Sequence, residues 1–156
     1  MLTLITGHVQ SGKTTKLLSL CEEFESQGRE IFGIVSPGIF DENGKKIGVK
    51  GELFPTHEIL QVGTKNSQGW KFEEHAIEKI NAHFAFLSHT PDVFVVDEIG
   101  PLELNSASGF SVALAMLRVG PQVCGNDAYV VVRQKLTDVL LDQVAGAWDE
   151  MNVIEA

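Results

Sequence analysis

One octapeptide near the start of the chain constrains its fold more than any other stretch: GHVQSGKT, at residues 7–14. It matches the pattern G-x-x-x-x-G-K-[ST] at every fixed position, a pattern typical of phosphate-binding loops (P-loops). Its two glycines let the backbone turn tightly, so that successive amide N–H groups can point at phosphate oxygens. The pattern predicts that the lysine reaches the β- and γ-phosphates and that the threonine hydroxyl contacts Mg²⁺. The nucleotide-binding residues predicted here are Gly7, His8, Val9, Gln10, Ser11, Gly12, Lys13, Thr14 and Thr15.

The residues around the loop predict the structural context that such a loop needs. Residues 1–6 form a short apolar, β-branched run that is typical of a buried strand. Residues 16–24 place apolar side chains at helical spacing, and this pattern ends near Gln27 and Gly28. A strand, a loop and a helix in this order bring the positive end of the helix dipole to the phosphates.

The rest of the chain alternates between strand and helix patterns. Buried strands are predicted at residues 31–36, 93–96, 128–132 and 151–154, and helices at 73–87, 110–119 and 136–147. This alternation predicts a three-layer α/β fold with a mainly parallel sheet of five strands and helices on both faces. Residues 38–63, which contain the turn dipeptide Asn43-Gly44, predict an antiparallel hairpin added to that sheet, with a short third strand near 58–62. Residues 64–72 are predicted to be a loop.

Composition narrows the class of protein further. A chain of 156 residues is expected to form one domain, residues 1–156. A net charge of −9 argues against broad nucleic-acid binding, and no apolar run approaches the ~20 residues of a membrane span. The apolar N-terminus runs directly into the loop, so it is expected to be structure and not a signal peptide. Cys21 and Cys124 lack a C-x-x-C spacing and are interpreted as buried thiols of a cytoplasmic protein.

A second motif supplies carboxylates. The apolar run Val93–Val96 is followed directly by Asp97 and Glu98, as in the Walker B element that accompanies a P-loop. A carboxylate at the end of a buried strand can hold Mg²⁺ opposite Thr14, so Thr14 and Asp97 are the predicted metal residues. Glu98 is the predicted catalytic base, because the next position can orient and deprotonate an attacking water.

The segment that starts at this carboxylate pair, DEIGPLEL at residues 97–104, resembles the D-E-I-G-x-[ML]-E signature of a family of small nucleoside-triphosphatases. That family was first known from thermophiles and includes the cancer-related nucleoside-triphosphatase. GIVSP at 33–37 and KIG at 46–48 are similar to its second strand and its insertion. The resemblance implies a RecA-like P-loop fold and slow, Mg²⁺-dependent hydrolysis of several nucleoside triphosphates. The P-loop of this chain departs from that resemblance, because GHVQSG at residues 7–12 replaces the commoner G-x-P-G-x-G.

Two further charged residues are candidates for the site. Arg133 follows the predicted strand 128–132, and ligands of open α/β sheets bind at the carboxyl ends of the strands. Arg133 is therefore the third predicted catalytic residue, beside Glu98 and Lys13, as a cation for the γ-phosphate. A capping or surface role for Arg133 stays open at this point. Glu103 matches the second acidic position of the signature, either near the metal or as a solvated carboxylate.

Two alternative functions remain open from the sequence. A small-molecule or nucleoside kinase shares the P-loop, but it usually needs extra cations to clamp an acceptor, and this chain has only three arginines. A nucleotide-dependent switch or adaptor with residual hydrolysis is the other alternative. The preferred base, the protein partners and the oligomeric state have no signal in the sequence.

Overall fold

The computed structural model describes residues 1–8, 11–99 and 108–156 of the chain. Its strands are β1 (Leu2–Thr6), β2 (Ile31–Val35), β3 (Gly38–Phe40), β4 (Lys46–Phe54), β5 (Ile59–Asn66), β6 (Gly69–Phe72), β7 (Val93–Ile99), β8 (Asp127–Val132) and β9 (Met151–Glu155). Its α-helices in the described ranges are α1 (Lys13–Ser26), α2 (Glu74–Ala85), α3 (Ser111–Val119), α4 (Pro121–Cys124) and α5 (Thr137–Val144). Short 3₁₀ turns at Gln134–Leu136 and Ala145–Ala147 flank α5.

The strands form one sheet in the order β6-β5-β4-β2-β7-β8-β1-β9. The ninth strand, β3, pairs with β4 and is not part of this linear order. From β2 to β9 all neighbouring strands are parallel, which gives the five-stranded parallel core that the sequence predicted. β8 lies between β1 and β7, as expected for the strand that ends at Arg133. The carboxyl ends of these parallel strands therefore meet at one edge of the sheet.

Both faces of the strands β1, β2, β7 and β8 are largely buried, because these strands are apolar at nearly every position, whereas β9 at the edge is mostly exposed. In β7, for example, Phe94 and Val96 pack into one hydrophobic cluster and Val93 and Val95 into the other. Helix α1 covers one face through Leu17, Cys21 and Phe24, and the other face is covered by α2, α3 and α5, with Ile80, Leu117 and Leu140 at their centres. The predicted three-layer architecture is therefore confirmed. Each such fully buried side chain contributes about 1.5–3 kcal/mol relative to exposure.

The antiparallel part of the sheet is larger than the sequence predicted. Residues 64–72 are not a loop: β5 continues to Asn66, and β6 pairs with it in antiparallel register, Lys65 opposite Trp70 and Gly63 opposite Phe72. The Asn66 side chain forms the turn between these strands, since its Oδ1 accepts a hydrogen bond of 2.8 Å from the Gln68 amide. Trp70 and Phe72 are two residues apart and share one face of β6, where their rings stack nearly parallel with centroids 6.0 Å apart. β3 to β6 thus form a four-stranded extension of the parallel core.

The cysteines and the second tryptophan lie in the core. Cys21 and Cys124 are both buried, as predicted, and burial raises the pKa of each thiol to about 12. Trp148 is 4% exposed and its Nε1 donates a hydrogen bond of 2.8 Å to the Leu117 carbonyl. Within the described ranges, no helix combines the length and apolar character that crossing a bilayer requires.

Candidate functional site

The described residues among those singled out in the sequence meet at the carboxyl edge of the parallel core. The P-loop follows β1, and Arg133 directly follows β8. Asp97 and Glu98 lie at the carboxyl end of β7. Ser36, which directly follows β2, joins them at this edge. The four neighbouring strands β2, β7, β8 and β1 therefore all bring polar groups to the carboxyl edge of the sheet, as expected for parallel strands.

The P-loop bends sharply before helix α1. Gly12 adopts a left-handed conformation with φ 93°, and the Ser11 amide donates a hydrogen bond of 3.0 Å to the His8 carbonyl. A Cβ at Gly7 would lie 2.3 Å from Ser11 Oγ, so only glycine fits where the loop closes on itself. α1 then begins at Lys13, directly after this loop. Val9 and Gln10 lie outside the described residues, and Thr15 is exposed on the first turn of α1.

Lys13 lies over the loop that precedes it. Its side chain is 8% exposed, and its ammonium donates hydrogen bonds to the carbonyl oxygens of Gly7, at 3.2 Å, and His8, at 3.0 Å. The ammonium is thus held by two neutral carbonyl acceptors of the loop. A phosphate anion can take their place, because its charge-assisted hydrogen bond to the ammonium is stronger.

A buried hydroxyl lies inside the same loop. Ser11 Oγ is buried and has no hydrogen-bond partner among the described residues. A buried hydroxyl without a partner costs about 1–3 kcal/mol, which is uncommon in a folded protein outside a functional site. This donor is therefore available to an acceptor oxygen bound in the loop.

Asp97 is the most buried carboxylate of the site and is held from two sides. Its Oδ2 accepts hydrogen bonds from Thr14 Oγ1, at 2.9 Å, and from the Ser36 amide, at 3.0 Å. Ser36 Oγ donates a further bond of 2.5 Å to the Asp97 carbonyl. Asp97 is 1% exposed, and burial raises the pKa of its carboxyl to about 6, although the hydrogen bonds from Ser36 and Thr14 act in the opposite direction.

The donor set around Asp97 fits a magnesium ion. A hydroxyl and a carboxylate in direct contact are the hard oxygen ligands that Mg²⁺ takes beside substrate phosphates and water. A cation bound here would also compensate the burial of the charge on Asp97. The two predicted metal residues, Thr14 and Asp97, are brought together by the fold.

Ser36 was not predicted as a site residue. In the sequence it stood only within the GIVSP stretch that resembles the nucleoside-triphosphatase family. The signal available was its position, a hydroxyl residue directly after a buried strand of a parallel sheet. Its contact with Asp97 depends on the pairing of β2 with β7, which the sequence does not specify.

Glu98 and Arg133 form an ion pair across neighbouring strands. Arg133 Nε donates to Glu98 Oε1 at 3.0 Å, and the two side chains are 44% and 34% exposed. The base and the cation predicted from the sequence therefore contact each other at the edge of the site. Glu103, like all of residues 100–107, lies outside the described part of the chain.

Two cavities among the described residues lie away from this edge of the sheet. One, of about 410 Å³, is lined by Arg29, Asp92 and Asp127 among others, at the amino ends of the parallel strands. Arg29 in this cavity already pairs with Asp127 at 2.7 Å. The chemistry of the described P-loop residues, and not the volume of a cavity, marks this edge as the candidate site.

A P-loop at the end of β1, with a hydroxyl-paired aspartate at the end of a second parallel strand, defines a P-loop nucleotide-binding protein. Comparison with known families narrows this class, because residues 3–123 match the model of the NTPase family. Since the match spans more than half of the chain, the protein belongs to the NTPase family. This agrees with the resemblance carried by residues 97–104.

Two curated relatives are similar to this chain over about two thirds of its length. Nucleoside-triphosphatase THEP1 of Saccharolobus solfataricus is 30% identical over 107 residues, which cover 65% of this chain and 61% of the relative. The protein of the same name from Methanopyrus kandleri is 29% identical over 108 residues, covering 66% of this chain and 59% of the relative. The matched region thus spans about three fifths of each relative.

A solved structure shows the same fold over a longer part of the chain. The solution structure of a human cancer-related nucleoside triphosphatase superposes with a TM-score of 0.68, over 99% of this chain and 87% of the other. The sequence identity is 16%, so this likeness concerns the fold alone. It confirms the fold class predicted from the sequence.

Proposed function

We propose that this protein hydrolyses nucleoside triphosphates to nucleoside diphosphate and phosphate, with Mg²⁺ as cofactor. The observation that carries the proposal is the contact of Thr14 with the buried Asp97, beside a P-loop lysine and next to Glu98. Family membership and the names of the curated relatives support the same activity.

The P-loop residues would bind and orient the triphosphate. Exchange of the Gly7 and His8 carbonyls for phosphate oxygens would turn Lys13 toward the β- and γ-phosphates. The Ser11 hydroxyl would donate to a phosphate oxygen, and the amide groups at the start of α1 would add their partial positive charge. Thr14 and Asp97 would hold Mg²⁺, which neutralises charge on the phosphates when bound.

Glu98 would act as the general base. It would accept a proton from a water whose oxygen forms a bond to the γ-phosphorus, while the bond from that phosphorus to the β–γ bridging oxygen breaks. For this role Glu98 must leave the ion pair with Arg133, and the γ-phosphate is a competing anion for that arginine. Arg133 would then stabilise the charge that develops on the transferred group.

Turnover would be slow and base discrimination modest. One arginine at the edge of the site supplies less charge stabilisation than fast NTPases obtain. The described residues that carry the proposal would contact the phosphates and the metal ion, and not the base, so they would not distinguish one nucleobase from another.

The test is phosphate release with Mg²⁺ and ATP, GTP, CTP or UTP in turn, without an acceptor. Steady release through many turnovers with each of them is expected. Release that begins only after addition of a nucleoside or sugar would establish a kinase. Tight binding without multiple turnovers would establish a nucleotide-dependent switch.

A further inference from the structure

The sheet extension is connected directly to the candidate site. β3 begins two residues after Ser36, whose amide donates to Asp97, and it pairs with the start of β4, Phe40 opposite Lys46. The hydrogen bond of 3.0 Å from the Lys50 amide to the Pro37 carbonyl fixes β4 against the same connection. The first residues of β4 are therefore held beside the segment that carries Ser36.

The side chain of Lys46 lies across this connection. Its Cε is 3.1 Å from the place where a Cβ on Gly38 would be, so the aliphatic stem covers Gly38. Its Nζ lies 5.9 Å from the centre of the Trp70 ring. The stem of Lys46 thus lies against the segment that directly follows Ser36, whose amide donates to Asp97.

Lys46 is half-buried, and among the described residues it takes part in no ion pair with a carboxylate. Most other lysines of the described residues also lack such a pair, so Lys46 is singled out by its half-buried position beside the segment that carries Ser36. The ammonium of Lys46 contacts the face of Trp70, which the Lys65 ammonium also approaches to 5.9 Å. An exposed cation–π contact contributes only about 0.5–1 kcal/mol. A phosphate anion would displace that contact, because a charge-assisted bond to an ammonium is stronger.

We propose that Lys46 binds the terminal phosphate of the bound nucleoside triphosphate, and that Trp70 is its partner in the free protein. Lys46 would approach from the side of the extension, whereas Lys13 approaches from the P-loop. The proposal rests on the proposed function and adds to it a residue that distinguishes triphosphate from diphosphate.

The first experiment compares Lys46→Met, Lys46→Arg and Lys45→Met with the unchanged protein. Methionine keeps the stem over Gly38 without the charge, and Lys45→Met removes the same charge from an exposed neighbouring position. Affinity for a non-hydrolysable triphosphate and for a diphosphate, each with Mg²⁺, is measured by calorimetry. Lys46→Met should weaken triphosphate binding about tenfold or more and change diphosphate binding less than about twofold. Lys46→Arg should restore most of the difference, and Lys45→Met should leave both affinities unchanged.

The second readout is tryptophan fluorescence, since the chain has only two tryptophans. Trp148 is buried and Trp70 is 39% exposed, so a ligand that removes the Lys46 ammonium from the ring alters the emission of Trp70. Triphosphate should change the emission of the unchanged protein, diphosphate should not, and Lys46→Met should abolish the change.

Equal losses of triphosphate and diphosphate affinity in Lys46→Met would overturn the proposal, as would unchanged triphosphate affinity. Either result, combined with normal turnover of the unchanged protein, leaves the proposed function intact. Absence of triphosphate binding by the unchanged protein would instead overturn the proposed function and this inference together.

Discussion

Substitution of Glu98 by glutamine tests the catalytic assignment most directly. The amide keeps the shape of the side chain and can still accept a hydrogen bond from Arg133, but it cannot take a proton from water. Glu98→Gln should therefore keep nucleotide affinity and lower kcat by roughly 10²–10⁴, the usual contribution of a general base.

The structure allows the loss of stability to be bounded separately. The Glu98–Arg133 pair spans 3.0 Å with both side chains about one third or more exposed, at 34% and 44%. Ion pairs that are this exposed contribute about 0–1 kcal/mol, which corresponds to at most about 4 °C in Tm for a chain of this size. A large fall in kcat with so small a shift in Tm cannot result from partial unfolding.

The assay combines phosphate release, calorimetric affinity for a non-hydrolysable triphosphate, and thermal unfolding. Glu58→Gln is the matched control, because Glu58 pairs with Lys79 at 2.6 Å on the exposed surface, away from the P-loop. The control should lose comparable stability and keep its turnover. If Glu98→Gln turned over at the rate of the unchanged protein, Glu98 would not be the base, and Glu103 would be the next residue to replace.

Three further predictions concern the remaining groups. Lys13→Ala should weaken triphosphate binding and abolish turnover, because the loop loses its fixed cation; unchanged calorimetric affinity together with unchanged hydrolysis would contradict the P-loop assignment. Asp97→Asn should raise the Mg²⁺ concentration needed for half-maximal turnover, and a Mg²⁺ titration that superposes on that of the unchanged protein would refute this. Burial lowers the pKa of His83 from its ordinary value of 6.5, so the unfolded chain binds the proton more readily. The free energy of unfolding should therefore fall as the pH drops below about 6.5, and denaturant titrations should show a smaller fall in His83→Phe.

The P-loop and the carboxylates at the end of β7 could be predicted from the sequence because each is a local pattern. The turn of the loop depends on Gly7 and Gly12 within a few residues, and Asp97 follows its own apolar strand directly. The parallel core could be predicted for the same reason, since strands buried on both faces have continuous apolar runs. The four-stranded extension was only partly predicted. Its last strand carries two large apolar side chains, Trp70 and Phe72, that are exposed, whereas the usual strand pattern has such side chains buried.

By itself, therefore, the sequence determined the loop, the carboxylate pair, the fold class and the resemblance to nucleoside-triphosphatases. The tertiary structure decided the partners of these residues: Ser36 on Asp97, Arg133 on Glu98, and Lys46 beside Trp70. Contacts between residues tens of positions apart depend on which strands become neighbours and in what register. That choice is made by the burial of both sheet faces as a whole, and no single stretch of the chain specifies it.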